Sequence, residues 1–132
     1  MGSKGRVLVI DDDRDFLEYI TIILESKGYE VFGTESAEEG LNLARQIKPH
    51  VVLVDCMISY VLDGLNVLRT MRSDPELSRI PVVMISAIIS ADEKGLLLAG
   101  EKLEPDAFII KPIEPSSLLQ TIEKFVSVPD SL

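Results

Sequence analysis

Four short apolar runs punctuate the chain, at residues 7–10, 51–54, 82–85 and 108–110. They are rich in β-branched residues and do not alternate with polar ones, which is the pattern of strands covered on both faces of a parallel sheet. A weaker run at residues 30–33 reads as an edge or near-edge strand. Between these runs the apolar positions recur at helical spacing. Phe16, Ile20, Ile23 and Leu24 share one face, Asp13 stands where an N-cap belongs, and Gly28 where a left-handed C-terminal cap belongs. Ser36 and Glu39 match the S-x-x-E capping box and lead into a stripe of Ala37, Leu41, Ala44 and Ile47 that stops before Pro49. Leu65, Leu68 and Met71 mark a third helix ending near Asp74 and Pro75, and Leu118, Ile122, Phe125 and Val126 mark the last, entered through Pro115 and Ser116. Residues 91–103 are less regular, because Leu96, Leu97 and Leu98 are consecutive and Gly95 and Gly100 lower helix propensity. Three consecutive apolar residues cannot all face inward on one helix, so a partner-facing helix is expected there.

Strand and helix alternate throughout, which predicts a doubly wound α/β fold of about five β-α units. One domain is expected over residues 6–127, with a flexible lead at residues 1–5 and a short tail at residues 128–132.

Charge narrows the function. Lys and Arg number 13 against 22 Asp and Glu, a formal net charge of −9. That balance argues against direct binding of nucleic acid and favours divalent cations or basic partners. With one cysteine and one histidine, neither an internal disulfide nor a thiolate–imidazole metal cluster can be built. Cys56 reads as a small buried hydrophobe and His50 as a surface residue. No apolar run approaches the roughly 20 residues of a bilayer-spanning helix, and a signal peptide's order of residues is lacking, so a cytoplasmic protein away from the membrane is expected.

Each strong strand runs into a polar residue: Asp11 and Asp12, then Asp55, Ser86 and Lys111. In a right-handed parallel sheet these ends share one edge, where folds of this kind bind their ligands. Carboxylates brought together repel, and one lysine cannot balance three of them. An all-oxygen set of this kind suits magnesium. Metal and lysine together offset the charge gathering on a transferring phosphoryl group, so an Asp carboxylate can attack phosphorus and become an aspartyl phosphate. The Ser86 hydroxyl can then hydrogen-bond one phosphoryl oxygen while the Lys111 ammonium pairs with another.

The acidic run in Val9-Ile10-Asp11-Asp12-Asp13, Asp55 after Val52-Leu53-Val54, Asp63-Gly64, Ser86-Ala87 and Lys111-Pro112 together resemble the receiver domain of the two-component response regulator family, from Arg6 to Val126. The resemblance implies a flavodoxin-like (CheY-like) five-stranded parallel sheet, order 2-1-3-4-5, flanked by about five helices. It implies Asp55 as phosphoacceptor and Mg2+ (or Mn2+) held by Asp12, Asp55 and the Met57 backbone carbonyl, with Asp11 acting through a bound water. It gives Lys111 and Ser86 catalytic roles, makes Ser86 and Phe108 the switch residues, and suggests a cis Lys111-Pro112 bond. Such a domain catalyses its own phosphorylation and dephosphorylation but serves primarily as a switch. Its expected partners are a histidine kinase or histidine phosphotransfer protein, and a downstream protein or output domain at the face of the fourth helix, fifth strand and fifth helix. Two departures stand out: Ser59 replaces the family's usual Pro, and Asp63 lies one residue further from Asp55 than usual, which lengthens the loop at residues 58–62. Met57 and Ile88, at the positions resembling those that govern water access, are both apolar, which predicts a long-lived phosphorylated state.

Blander readings exist for single residues: residues 11–13 as a helix N-terminus favoured by the dipole, Lys111 as a snorkelling side chain, Phe108 as core. Three other functions compete. A degenerate receiver would bind partners independently of phosphorylation. A haloacid dehalogenase-type phosphatase is suggested by Asp11-x-Asp13, but Asp15 stands where Thr or Val is expected. A flavin binder would need a Ser/Thr/Gly-rich phosphate loop after the first strand, where three aspartates stand instead.

Overall fold

In the computed structural model residues 5–55, 63–86 and 105–126 are described, Asp63 and Leu65 by their backbone alone. The elements run β1 (Arg6–Ile10), α1 (Arg14–Glu25), β2 (Glu30–Thr34), α2 (Ala37–Ile47), β3 (Val51–Asp55), α3 (Asp63–Ser73), β4 (Val82–Ser86), β5 (Ala107–Ile110) and α4 (Pro115–Val126). All neighbouring strands pair in parallel, in the order β2-β1-β3-β4-β5. The weak second run is therefore an edge strand, as its polarity predicts. Among the described residues there are four helices. The segment 91–103, the loop at 58–62, Cys56, Met57 and Ile88 lie outside the described residues.

Strand alternation sorts the core into two layers. Leu8, Ile10, Val52, Val54, Val82 and Met84 face α2 and α3, where Ala44, Val67, Leu68 and Met71 meet them. Val7, Val9, Val51, Leu53, Val83, Ile85 and Ile109 face α1 and α4, against Ile20, Leu24, Leu118 and Ile122. Burying one such Leu or Ile side chain is worth roughly 1.5–3 kcal/mol. An exposed ion pair such as Arg14–Glu35, whose side chains are 84% and 46% exposed, is screened by water and adds little. The two apolar layers, not surface charge pairs, hold the fold. No helix among the described residues is long and apolar enough to cross a membrane.

Local signals explain most helix ends. Asp13 caps α1 by accepting from the backbone N–H groups of Asp15 and Phe16, and Gly28 adopts φ 93° in the turn that follows. α2 ends on Lys48 rather than a glycine, in left-handed geometry at φ 47°. The capping box forms by half. Ser36 accepts from Glu39 N, but the Glu39 carboxylate accepts from the Thr34 hydroxyl, whose oxygen takes the Ser36 N–H in its place. His50 is not a bare surface residue. It is half-buried, and its Nδ1 accepts from Arg6 N at 2.9 Å, because pairing β1 with β3 sets the two chain segments side by side.

Candidate functional site

Register builds the site. Ile10 is level with Val54, and Val54 with Met84, so Asp11 and Asp55 leave neighbouring strands at the same height. Asp55 and Ser86 are the last paired residues of β3 and β4 rather than the first beyond them. Ser86 is level with Ile110, and Lys111, the next residue, donates its backbone N–H to Ser86 O at 2.8 Å. The cis Lys111-Pro112 bond follows at once.

The three aspartates after β1 take three different environments. Asp11 is fully buried and accepts from Asp13 N at 2.9 Å, Asp12 is exposed, and Asp13 caps α1. The Lys111 ammonium lies 3.0 Å from Asp55 Oδ2 and 3.5 Å from Asp11 Oδ2. Asp55 is 8% exposed and Ser86 1%. Burial, with repulsion from Asp55 and a hydrogen bond to it, pushes the Asp11 carboxyl up to about 6 against the opposing pull of the Asp13 N–H and Lys111. For Lys111, burial works against the charge, but its hydrogen bond to Asp55 and the attraction of both carboxylates hold its pKa above the ordinary lysine value.

Of the sequence-predicted residues, Asp11, Asp55 and Lys111 converge in direct contact. Ser86 lies beside them on the strand edge. By alternation Ser86 belongs with Met84 and Phe108 on the α2–α3 face, whereas Asp11, Asp55 and Lys111 continue the series facing α1 and α4. Phe108, level with Met84, is half-buried against the first core layer. One contact escapes sequence reasoning: the Lys111 ammonium sits 4.3 Å from the ring centroid of Phe16. Helical spacing marks Phe16 as core, and nothing local links it to a lysine so distant along the chain.

Among the described residues no three His, Cys, Asp or Glu side chains form a group that could hold a metal unaided. Magnesium takes one or two protein carboxylates and completes its octahedron with water or phosphate. The donors fit: Asp11, Asp12 and Asp55 set three carboxylates against a single lysine at the carboxyl edge.

Together, fold and edge define a doubly wound α/β protein whose strand ends gather an acidic cluster closed by a lysine. More narrowly, the chain belongs to the response regulator receiver domain family, whose model matches residues 7–123. It is 32% identical over 118 residues to the protein PilH of Pseudomonas aeruginosa, covering 89% of this chain and 94% of PilH. It is 31% identical over 121 residues to the polar-differentiation response regulator DivK of Brucella ovis, covering 91% of this chain and 94% of DivK. Against the DNA-binding response regulator MtrA of Mycobacterium tuberculosis H37Rv the identity is 32% over 90% of this chain, which spans 49% of MtrA. Among solved structures, a response regulator from Chloroflexus aurantiacus superposes with a TM-score of 0.82 at 25% identity, over 94% of this chain and 98% of the other. The receiver domain of a sensor histidine kinase from Pseudomonas aeruginosa PAO1 superposes at 0.80 with 22% identity, over 97% and 100%, and holds a magnesium ion in its active-site cleft. The chain is thus a receiver domain of two-component signalling.

Proposed function

We propose that this receiver domain takes a phosphoryl group onto Asp55 from a histidine kinase or histidine phosphotransfer protein, and that the modification changes its affinity for a downstream protein. The observation that carries this reading is the Lys111 ammonium at 3.0 Å from a nearly buried Asp55, with the buried Asp11 beside it. A carboxylate so placed is oriented, partly desolvated and already paired with the cation that a phosphoryl oxygen needs.

Asp55 would attack the donor phosphorus through a carboxylate oxygen. The bond to the donor's imidazole nitrogen, or to the acetate oxygen of acetyl phosphate, breaks and its electron pair leaves with the donor. Lys111 then pairs with a phosphoryl oxygen and Ser86 donates its hydroxyl hydrogen to another. Asp12 and Asp55 are the carboxylates that would hold Mg2+ (or Mn2+), joined by the Met57 carbonyl, with Asp11 acting through a water. When bound, the ion offsets the negative charge of these carboxylates and of the equatorial phosphoryl oxygens. The ion in the same cleft of the Pseudomonas receiver supports this assignment. The added charge and acceptor oxygens would draw Ser86 and Phe108 into a second arrangement. The described part of the surface this would reshape is a groove of about 360 Å3 lined by Phe108, Ile110, Pro112, Ser117 and Thr121.

Incubation with magnesium and acetyl phosphate, followed by intact-mass measurement, tests the reading. A gain of one phosphate is expected, abolished in Asp55→Asn. No gain in the native chain would leave a phosphorylation-independent interaction module.

A further inference from the structure

The cation at this site has a third contact that is not an anion. Phe16 lies in the first turn of α1, its backbone N–H held by the Asp13 cap, and its ring packs against the core layer shared by α1 and α4. Over that ring lies the Lys111 ammonium, 4.3 Å from the centroid. Three residues on, Tyr19 donates its hydroxyl hydrogen to Ile113 O at 3.2 Å, so α1 touches the segment after β5 twice.

We propose that Phe16 is a positioning residue for phosphoryl transfer: its ring face holds the Lys111 ammonium between Asp11 and Asp55. This extends the phosphotransfer reading given above. An aromatic face attracts a cation through its quadrupole. It does so without adding a negative charge to a site where carboxylates already outnumber cations. A fourth carboxylate would hold the lysine more strongly and worsen the repulsion that Asp55 must overcome to meet an anionic donor. An aliphatic residue would fill the space and leave the ammonium to wander between the two carboxylates. The ring gives the lysine an uncharged rest beside them, so that its charge is in place when phosphorus arrives.

The test uses the full chain with Phe16 replaced by Leu, by Tyr and by mono-, di- and trifluorinated phenylalanine. Fluorine drains the ring face of negative charge and barely alters its shape. Two readouts are followed: the proton shifts of the Lys111 ε-methylene, assigned with Lys111→Arg, and the rate of phosphate gain from acetyl phosphate. The ε protons should lie upfield of ordinary lysine values in the native chain and return to them in Phe16→Leu. The rate should fall about three- to tenfold in Phe16→Leu, stay within about twofold in Phe16→Tyr, and decline stepwise along the fluorine series. Ordinary ε shifts in the native chain, or a fluorine series that leaves the rate flat, would overturn the proposal. Failure of the native chain and of every variant to gain phosphate, with the upfield shift intact, would instead sink the phosphotransfer reading.

Discussion

Replacing Asp11 with asparagine should make the protein more stable at neutral pH when divalent ions are withheld. Asp11 is buried, and its carboxyl is pushed from an ordinary 3.8 to about 6. Between those values the folded protein keeps a proton that the unfolded chain has already released. Stability therefore drains away as pH rises through that window and stays low above it. Two pH units correspond to about 3 kcal/mol, a ceiling on what the buried charge costs at pH 7.5. The amide would still accept from Asp13 N through its oxygen; the 3.5 Å pairing with Lys111 that it gives up is already contained in the shift to about 6, and solvent screening keeps the cost below the ceiling. The net expectation is a gain of about 1–2 kcal/mol at pH 7.5, shrinking below about 1 kcal/mol at pH 4, where folded Asp11 is already neutral. Urea unfolding followed by far-ultraviolet circular dichroism at both pH values measures it. Magnesium should stabilise the native chain more than the variant and so narrow the gap at pH 7.5. A variant less stable than the native chain at pH 7.5, or a gap unchanged between the two pH values, would refute the reasoning.

Three further expectations concern other parts of the molecule. Asp106 Oδ2 accepts from both Arg72 Nη2 and Val82 N at 2.8 Å, so Asp106→Ala should cost about 1–3 kcal/mol in urea unfolding, and Asp106→Asn, which keeps an acceptor for Val82, distinctly less. In Gly40→Ala the new Cβ would meet Ile10 Cδ1 and, at 2.6 Å, Ile10 Cγ1 in the closed core; overpacking of about 1–3 kcal/mol outweighs the roughly 1 kcal/mol gained in helix propensity, and adding Ile10→Val should recover part of the loss in a double-mutant cycle. Apolar side chains at Met57 and Ile88, which the family resemblance assigns to water access, would neither orient nor admit a hydrolytic water, so phosphate loss after removal of donor should take far longer than seconds; decay within seconds, followed by intact mass, would count against that view.

Much of this architecture is written in period and punctuation. The β-branched runs reached their strands within a residue or two because a strand covered on both faces has no polar positions to blur it. Asp11, Asp55 and Lys111 were legible together because a parallel sheet returns every strand end to one edge. What escaped the sequence depends on pairing across long separations. Phe16 looks like any apolar residue on a helix face until Lys111 arrives from β5. His50 gains its partner from the alignment of β1 with β3. Local competition accounts for the half-formed capping box, since the strand-end hydroxyl of Thr34 donates to the Glu39 carboxylate and accepts the Ser36 N–H. At Lys48 the chain turns left-handed without glycine, and its carbonyl meets the Arg6 guanidinium at 2.8 Å, a contact invisible before the two were brought together.

The two-sided sorting of the sheet has a consequence for how a signal would leave the acidic cluster. By strand alternation Asp11, Asp55 and Lys111 continue the series that meets α1 and α4, and Ser86 continues the one that Phe108 joins. At the carboxyl rim the two series meet, and a phosphoryl group on Asp55 that takes the Ser86 hydroxyl would pass its effect round that rim to the Phe108 side without crossing the sheet.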